Sequence, residues 1–256
     1  MNFHIISDIH LEFRYYSLKS HVNKQNRKGI PENEEINLIL AGDVGYPELP
    51  SFSQFIESVS VLYDHVFFVP GNHEYYKKYI STTKELIKKT FSGYPNVYLL
   101  DNDMILHGFN GNHLYIIGST LWTYVSEDDP TRKHPINDCY QIKDFTIEMS
   151  NQFHTEGKKF LKTAISQAQS EDKKCIVITH HIPSHSVIDP VYKGGEINSF
   201  FASDCDELIS SPVILWAYGH THLKANHRIH DVEMICNPKG YPSEYSRYST
   251  TCIFKV

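Results

Sequence analysis

The feature that most constrains this chain is the way its hydrophobic runs stop. Five short apolar stretches each end on aspartate, asparagine or histidine: "IISDIH" at Ile5–His10, "LILAGDVG" at Leu38–Gly45, "HVFFVPGNHE" at His65–Glu74, "IVITHH" at Ile176–His181 and "WAYGHTH" at Trp216–His222. Runs of four to seven Val, Ile, Leu, Phe and Tyr are the mark of buried strands. The chain therefore places carboxylates, an amide and imidazoles where strands exit. Turn chemistry accounts for the glycines and for one asparagine. It does not account for five such stops in one chain.

On the same criteria strands are expected at Asn2–Ser7, Asn37–Ala41, His65–Val69, Asn96–Leu100, His113–Gly118, Lys174–Thr179, Val213–Tyr218, Val232–Cys236 and Thr251–Lys255. Helical periodicity marks Ser51–Asp64, Thr82–Phe91 and Gln152–Gln169. In the last of these Phe160, Leu161, Ala164, Ile165 and Ala168 share one face. The first half alternates strand and helix, which predicts a parallel core, and the last third runs strand to strand, which predicts an antiparallel addition. No repeat or Gly/Ser linker divides the 256 residues, so they are expected to form one domain. Two segments without pattern, 123–140 and 182–200, each follow a strand end, where a pocket would lie.

Composition narrows the function. A net charge of −6 argues against a general nucleic-acid scaffold, which shows a basic face. Five scattered cysteines without a CxxC pair read as reduced thiols. No apolar stretch reaches the length of a membrane span. A cytoplasmic protein with no membrane partner is expected.

Taken as ligands, the strand ends form a coherent set. Asp8 and His10 are two apart and project to one side of an extended chain, and His220 and His222 repeat that spacing. Asp43, Asn72 and His180 each close a separate run. Two carboxylates, one amide oxygen and four imidazoles suit Mn, Fe or Zn, and the lack of thiolate gives no support for a structural zinc. Seven groups are too many for one tetrahedral ion. Two divalent ions sharing a bridging carboxylate is the economical arrangement.

The order DxH, GD, GNHE, strand-ending His, GHxH resembles the calcineurin-like metallophosphoesterase superfamily, and its motifs run from Asp8 to His222. The resemblance implies an α/β (α+β) fold, a four-layer αββα sandwich of two mixed sheets flanked by helices, with a dinuclear metal site at the strand C-terminal ends. It implies that Asp8, His10 and His222 hold one metal, that Asn72, His180 and His220 hold the other, and that Asp43 bridges them. It favours His180 over His181, and it makes His73 the group that protonates the leaving oxygen or steadies the transition state. Glu74 would then orient His73 or lie on the surface. The implied activity is hydrolysis of a phosphomonoester or phosphodiester by metal-bound hydroxide, with a small organic phosphate or nucleotide as substrate. Two alternatives stand beside it: a non-catalytic metal-binding interaction module of the same fold, and a nuclease.

The chain departs from several named groups within the superfamily. "GDVGYPE" lacks the Asp-Arg-Gly run of protein Ser/Thr phosphatases. Tyr46 matches the spacing of the iron-binding tyrosine of purple acid phosphatases, but His10 already fills that role, so Tyr46 is expected to pack or line the pocket. Candidate substrate contacts are Tyr75, Tyr76, Trp122, Tyr192, Lys193, Asn198 and Phe201, with core packing the default for any one aromatic; Arg132, Lys133 and Lys193 either meet a phosphate or, the favoured reading, solvate a loop. "NPKGYP" at Asn237–Pro242 either closes the pocket or simply turns.

Overall fold

The computed structural model describes residues 1–13, 30–31, 34–133 and 136–256. Eleven strands among these residues form two sheets. The first contains β1 (Asn2–Ile6), β2 (Ile36–Ala41), β3 (His65–Val69), β4 (Val97–Leu99) and β11 (Ile253–Lys255), in the order β11-β1-β2-β3-β4. Only β11 runs antiparallel to its neighbour. The second holds β5 (Asp103–Phe109), β6 (Asn112–Ser119), β7 (Cys175–Thr179), β8 (Val213–Tyr218), β9 (Ala225–Ile229) and β10 (Val232–Cys236), in the order β5-β6-β7-β8-β10-β9. It is parallel from β6 through β10, with an antiparallel strand at each edge.

Strand periodicity explains the layering. Along β2, Ile39 and Ala41 face the second sheet, while Leu38 and Leu40 face α1 (Pro50–Leu62) and α2 (Ile80–Phe91). Phe3, Ile5, Phe67 and Val69 join Ile176, Ile178, Leu215 and Ala217 in the layer between the sheets. On the far side Val177 and Trp216 meet Leu161, Ala164, Ile165 and Ala168 of α4 (Ile147–Ser170). Both faces of the central strands are covered, which is why they read as unbroken apolar runs. The result is the expected order helix, sheet, sheet, helix. No described helix is long and apolar enough to cross a membrane.

The differences from the sequence reading lie at the edges. β5 and β9 were not expected. β5 pairs with β6 through a turn in which Asn110 and Gly111 both adopt positive φ, the Asn-Gly hairpin geometry. β9 is mostly exposed and polar, so it carries no alternating signal. Helix α4 starts five residues before the expected Gln152 because Thr146 accepts a hydrogen bond from the Met149 N–H and caps it. Segment 123–140, expected as patternless, contains a short helix α3 (Asn137–Gln141), while its residues 134 and 135 lie outside the described set. Segment 182–200 is irregular, with three short 3-10 turns.

Candidate metal centre

The parallel strands β1, β2, β3, β7 and β8 all deliver their C-terminal ends to one edge of the sandwich, so the five stops meet there. The backbone at these ends is unusual. Asp8, His10, Asp43, His220 and His222 have φ between 52° and 69°, the left-handed region that non-glycine residues seldom adopt and that clusters at functional sites. Two glycines admit the crowding. A Cβ on Gly42 would stand 2.2 Å from His180 Nδ1, and one on Gly71 would stand 2.2 Å from Asp43 Oδ1.

Two clusters of donors flank Asp43. On one side His10 Nε2 and His222 Nε2 are 2.9 Å apart, His222 Nε2 is 3.5 Å from Asp8 Oδ1, and His10 Nε2 is 3.9 Å from Asp43 Oδ2. On the other, His180 Nε2 is 3.0 Å from Asn72 Oδ1, 3.2 Å from His220 Nδ1 and 3.4 Å from Asp43 Oδ1. The two oxygens of one carboxylate thus face the two clusters separately. Three of the four histidines turn their other ring nitrogen outward to an acceptor: His10 Nδ1 to Glu12 at 3.0 Å, His222 Nδ1 to Glu244 at 2.6 Å, and His180 Nδ1 to the Ala41 carbonyl at 3.0 Å. Such outward N–H bonds fix the tautomer and leave the inward nitrogen free to ligate. His181 instead turns Nδ1 to the Thr120 carbonyl at 3.2 Å, and burial drives its pKa down to about 3.

The donor set and spacing fit divalent cations, and the field of the site favours them. Burial would lower the His180 and His222 pKa values. The negative charges around them outweigh burial, Asp43 chiefly for His180 and Asp8 chiefly for His222. They raise His180 to about 10 and His222 to about 9. A field that holds protons this firmly holds metal cations in their place.

His73 stands at the rim of both clusters. Its Nδ1 is 2.9 Å from Glu12 Oε1, its Nε2 is 4.0 Å from Asp43 Oδ2 and 3.2 Å from the Tyr241 hydroxyl, and its ring stacks on Tyr76 at 4.1 Å. Burial opposes its protonation, but the Asp43 charge and the Glu12 bond prevail and raise its pKa. Glu74 neither orients this ring nor lies on the surface, which corrects both expectations. It is fully buried and accepts backbone N–H bonds from Asp43, Val44, Gly45 and Gly71, tying two strand-end loops together.

Sequence reasoning missed Glu12, Asp138 and Glu244, and reached Tyr241 only as part of "NPKGYP". Glu12 continues the alternation of Asp8 and His10, a signal that was available. Asp138 comes from α3 and accepts from Asn72 Nδ2 at 2.8 Å and from the Tyr76 hydroxyl at 2.7 Å, with no local motif to mark it. The "NPKGYP" segment does more than turn: the Gly240 N–H donates to the Asp8 carbonyl, and Tyr241 and Glu244 join the pocket wall.

A cavity of about 730 Å³ opens beside the centre. Tyr76, Tyr192, Lys193, Asn198 and Phe201 line it, with Ile182, Ile188 and Val191. Tyr75 and Trp122 do not: they pack 5.9 Å apart in an apolar cluster with Tyr46. Arg132 pairs with Glu148 on the surface rather than facing the centre. Lys133 ends a short 3-10 turn and is not among the cavity residues.

The profile of the calcineurin-like phosphoesterase family matches residues 1–224. An uncharacterized protein of Acanthamoeba polyphaga mimivirus is 30% identical over 95% of this chain and 92% of its own length. Among solved structures, the phosphopantetheinyl hydrolase of Mycobacterium tuberculosis superposes with a TM-score of 0.67 at 16% identity, covering 96% of this chain and 93% of that one. GAP50, described as the anchor in the inner membrane complex of Plasmodium, superposes with a TM-score of 0.59 at 15% identity over 96% of this chain and 74% of its own. At these identities the structural matches speak for the fold alone.

Proposed function

The chain belongs to the calcineurin-like phosphoesterase family, a family of metal-dependent enzymes, and from that premise we propose that it is a dinuclear phosphoesterase acting on a small organic phosphate or nucleotide. The observation that carries this reading is the split carboxylate of Asp43, with Oδ2 toward His10 and Oδ1 toward His180. In this reading Asp8, His10 and His222 hold one ion, Asn72, His180 and His220 hold the other, and Asp43 bridges them. Ions held there would supply Lewis-acid polarisation of a phosphoryl group and a water whose pKa is lowered to roughly 7. The residues do the rest. Glu12 accepts from His73 Nδ1 and holds the ring with Nε2 toward the centre, placed to give a proton to the leaving oxygen. Asp138 holds the Asn72 amide so that its oxygen faces His180. Asn72 adds no negative charge where a phosphate must bind.

The cavity bears on the leaving group. Its walls carry Ile, Val, Tyr and Phe with Lys193 as the lysine of the lining, a surface suited to an organic portion with one further charge. The five unpaired cysteines suit a reducing cytoplasm. The test is hydrolysis of an aryl phosphomonoester and the matching diester by metal-stripped protein refilled with Mn²⁺. Metal-dependent turnover supports the reading, and the ratio of the two rates chooses the ester class. His73→Ala should retain metal and lose most turnover, whereas Asp43→Ala should lose both. Two bound ions without turnover of either ester would instead favour a binding module.

A further inference from the structure

At the opposite end of the sandwich a second set of ligands converges. Glu35 immediately precedes β2, His65 opens β3, and His107 reaches across from β5 of the other sheet. Their donor atoms all lie within 4.8 Å of one another. His107 Nε2 is 2.9 Å from Glu35 Oε1, and His65 Nε2 is 3.6 Å from that oxygen. Two ligands on a tetrahedral ion with bonds of ~2.0–2.1 Å stand roughly 3.4 Å apart. The spacings here fall within those of the metal centre at the other end, 2.9 to 3.9 Å.

An ordinary ion pair does not account for the group. Both Glu35 oxygens are buried without an aligned hydrogen-bond donor, although the residue is only 6% exposed. Asn37 Nδ2 lies 3.5 Å from His107 Nε2, at the limit of hydrogen-bond reach, while that ring nitrogen faces the Glu35 oxygen at 2.9 Å. The Tyr98 hydroxyl at 3.2 Å from His65 Nδ1 engages the outer nitrogen of that ring and leaves Nε2 inward. We propose that Glu35, His65 and His107 form a further metal site for a divalent first-row cation, Zn²⁺ by preference, which clamps the two sheets at the end away from the phosphoesterase centre. Two imidazoles and one carboxylate leave a fourth position for water, and His65, with 32% of its side chain exposed, lies at the open side.

Nothing in this inference rests on the dinuclear reading. Wild-type protein, Glu35→Gln and His65→Gln are stripped of metal, dialysed against Zn²⁺, and their zinc counted by elemental analysis. The expected result is one zinc fewer per chain in each variant, with aryl phosphate turnover of His65→Gln unchanged. Asp43→Asn should show the converse, losing zinc from the other end while His65→Gln in that background removes one more. Equal zinc in wild type and folded His65→Gln would overturn the proposal. His65 is half-buried, so this variant remains decisive where Glu35→Gln fails to fold.

Discussion

One oxygen of Glu12 touches two histidines, His10 Nδ1 and His73 Nδ1, and so couples a proposed ligand to the proposed proton donor. Removing a carboxylate that orients a ligating imidazole costs ~10–100-fold in metal affinity or activity. Glu12→Gln should therefore weaken Mn²⁺ binding and lower kcat, each by about that factor. Tyr241→Phe removes only the hydroxyl at His73 Nε2, so kcat at saturating Mn²⁺ should change while the metal affinity does not. Titrating activity against Mn²⁺ for both variants separates the two effects. Gly71 carries a different kind of constraint. A Cβ there would meet Asp43 Oδ1 at 2.2 Å and the Asp43 backbone nitrogen at 2.7 Å, and neither can move without disturbing the carboxylate between the clusters. Gly71→Ala should lose metal, as read by elemental analysis, in a protein whose far-UV circular dichroism is unchanged. At this scale the sequence announced the groups that terminate strands, because a strand end is visible as a broken hydrophobic run. It did not announce Asp138, whose importance comes from where α3 packs, nor the role of Glu74, whose four backbone partners are brought together only by folding.

Among the elements, the strands covered on both faces were the legible ones, since burial on both sides leaves an uninterrupted apolar run. β9 was illegible for the converse reason: three of its five residues, Asn226, His227 and Arg228, face solvent, and its place comes from pairing with β10. The hairpin of β5 and β6 carried a readable Asn-Gly turn, but β5 itself mixes Asp, His and Gly with its apolar residues. Helix α4 shows what periodicity does convey. Leu161 is fully buried in one cluster with Val177 and Trp216, on the face that the pattern of Leu161, Ala164, Ile165 and Ala168 had marked. Leu161→Ala leaves a cavity beneath the helix and should cost ~2–5 kcal/mol. Lys162, one position on, falls on the exposed face, and Lys162→Ala should change stability by less than about 0.5 kcal/mol. Urea unfolding of the two variants measures both, and equal losses would mean that α4 does not pack on the sheet in this register.

For the whole molecule, the sandwich sets the stability against pH through histidines that it buries uncharged. His4 sits in β1 on the helix side, fully buried, with Nδ1 2.6 Å from the Tyr63 hydroxyl and Nε2 without a partner. Burial lowers its pKa from 6.5 to about 4. Above pH 6.5 neither the folded nor the unfolded chain is protonated there, and the residue contributes no pH dependence. Between pH 6.5 and 4 the unfolded chain takes up a proton that the folded chain refuses, so the equilibrium shifts toward unfolding as pH falls. Below about 4 both states bind the proton and the loss levels off. At pH 5 the linkage amounts to about 2 kcal/mol, the free energy of protonating an imidazole of pKa 6.5 in the unfolded state alone. His4→Leu removes that proton site, at whatever cost its missing bond to Tyr63 adds at every pH. Urea unfolding at pH 7 and pH 5 should then show wild type losing about 2 kcal/mol more than His4→Leu across the interval. The difference between the two proteins cancels every titration they share, metal release at the strand ends included. Identical losses in both would mean that His4 is protonated in the folded chain at pH 5, and that β1 opens to water there well before the sandwich unfolds.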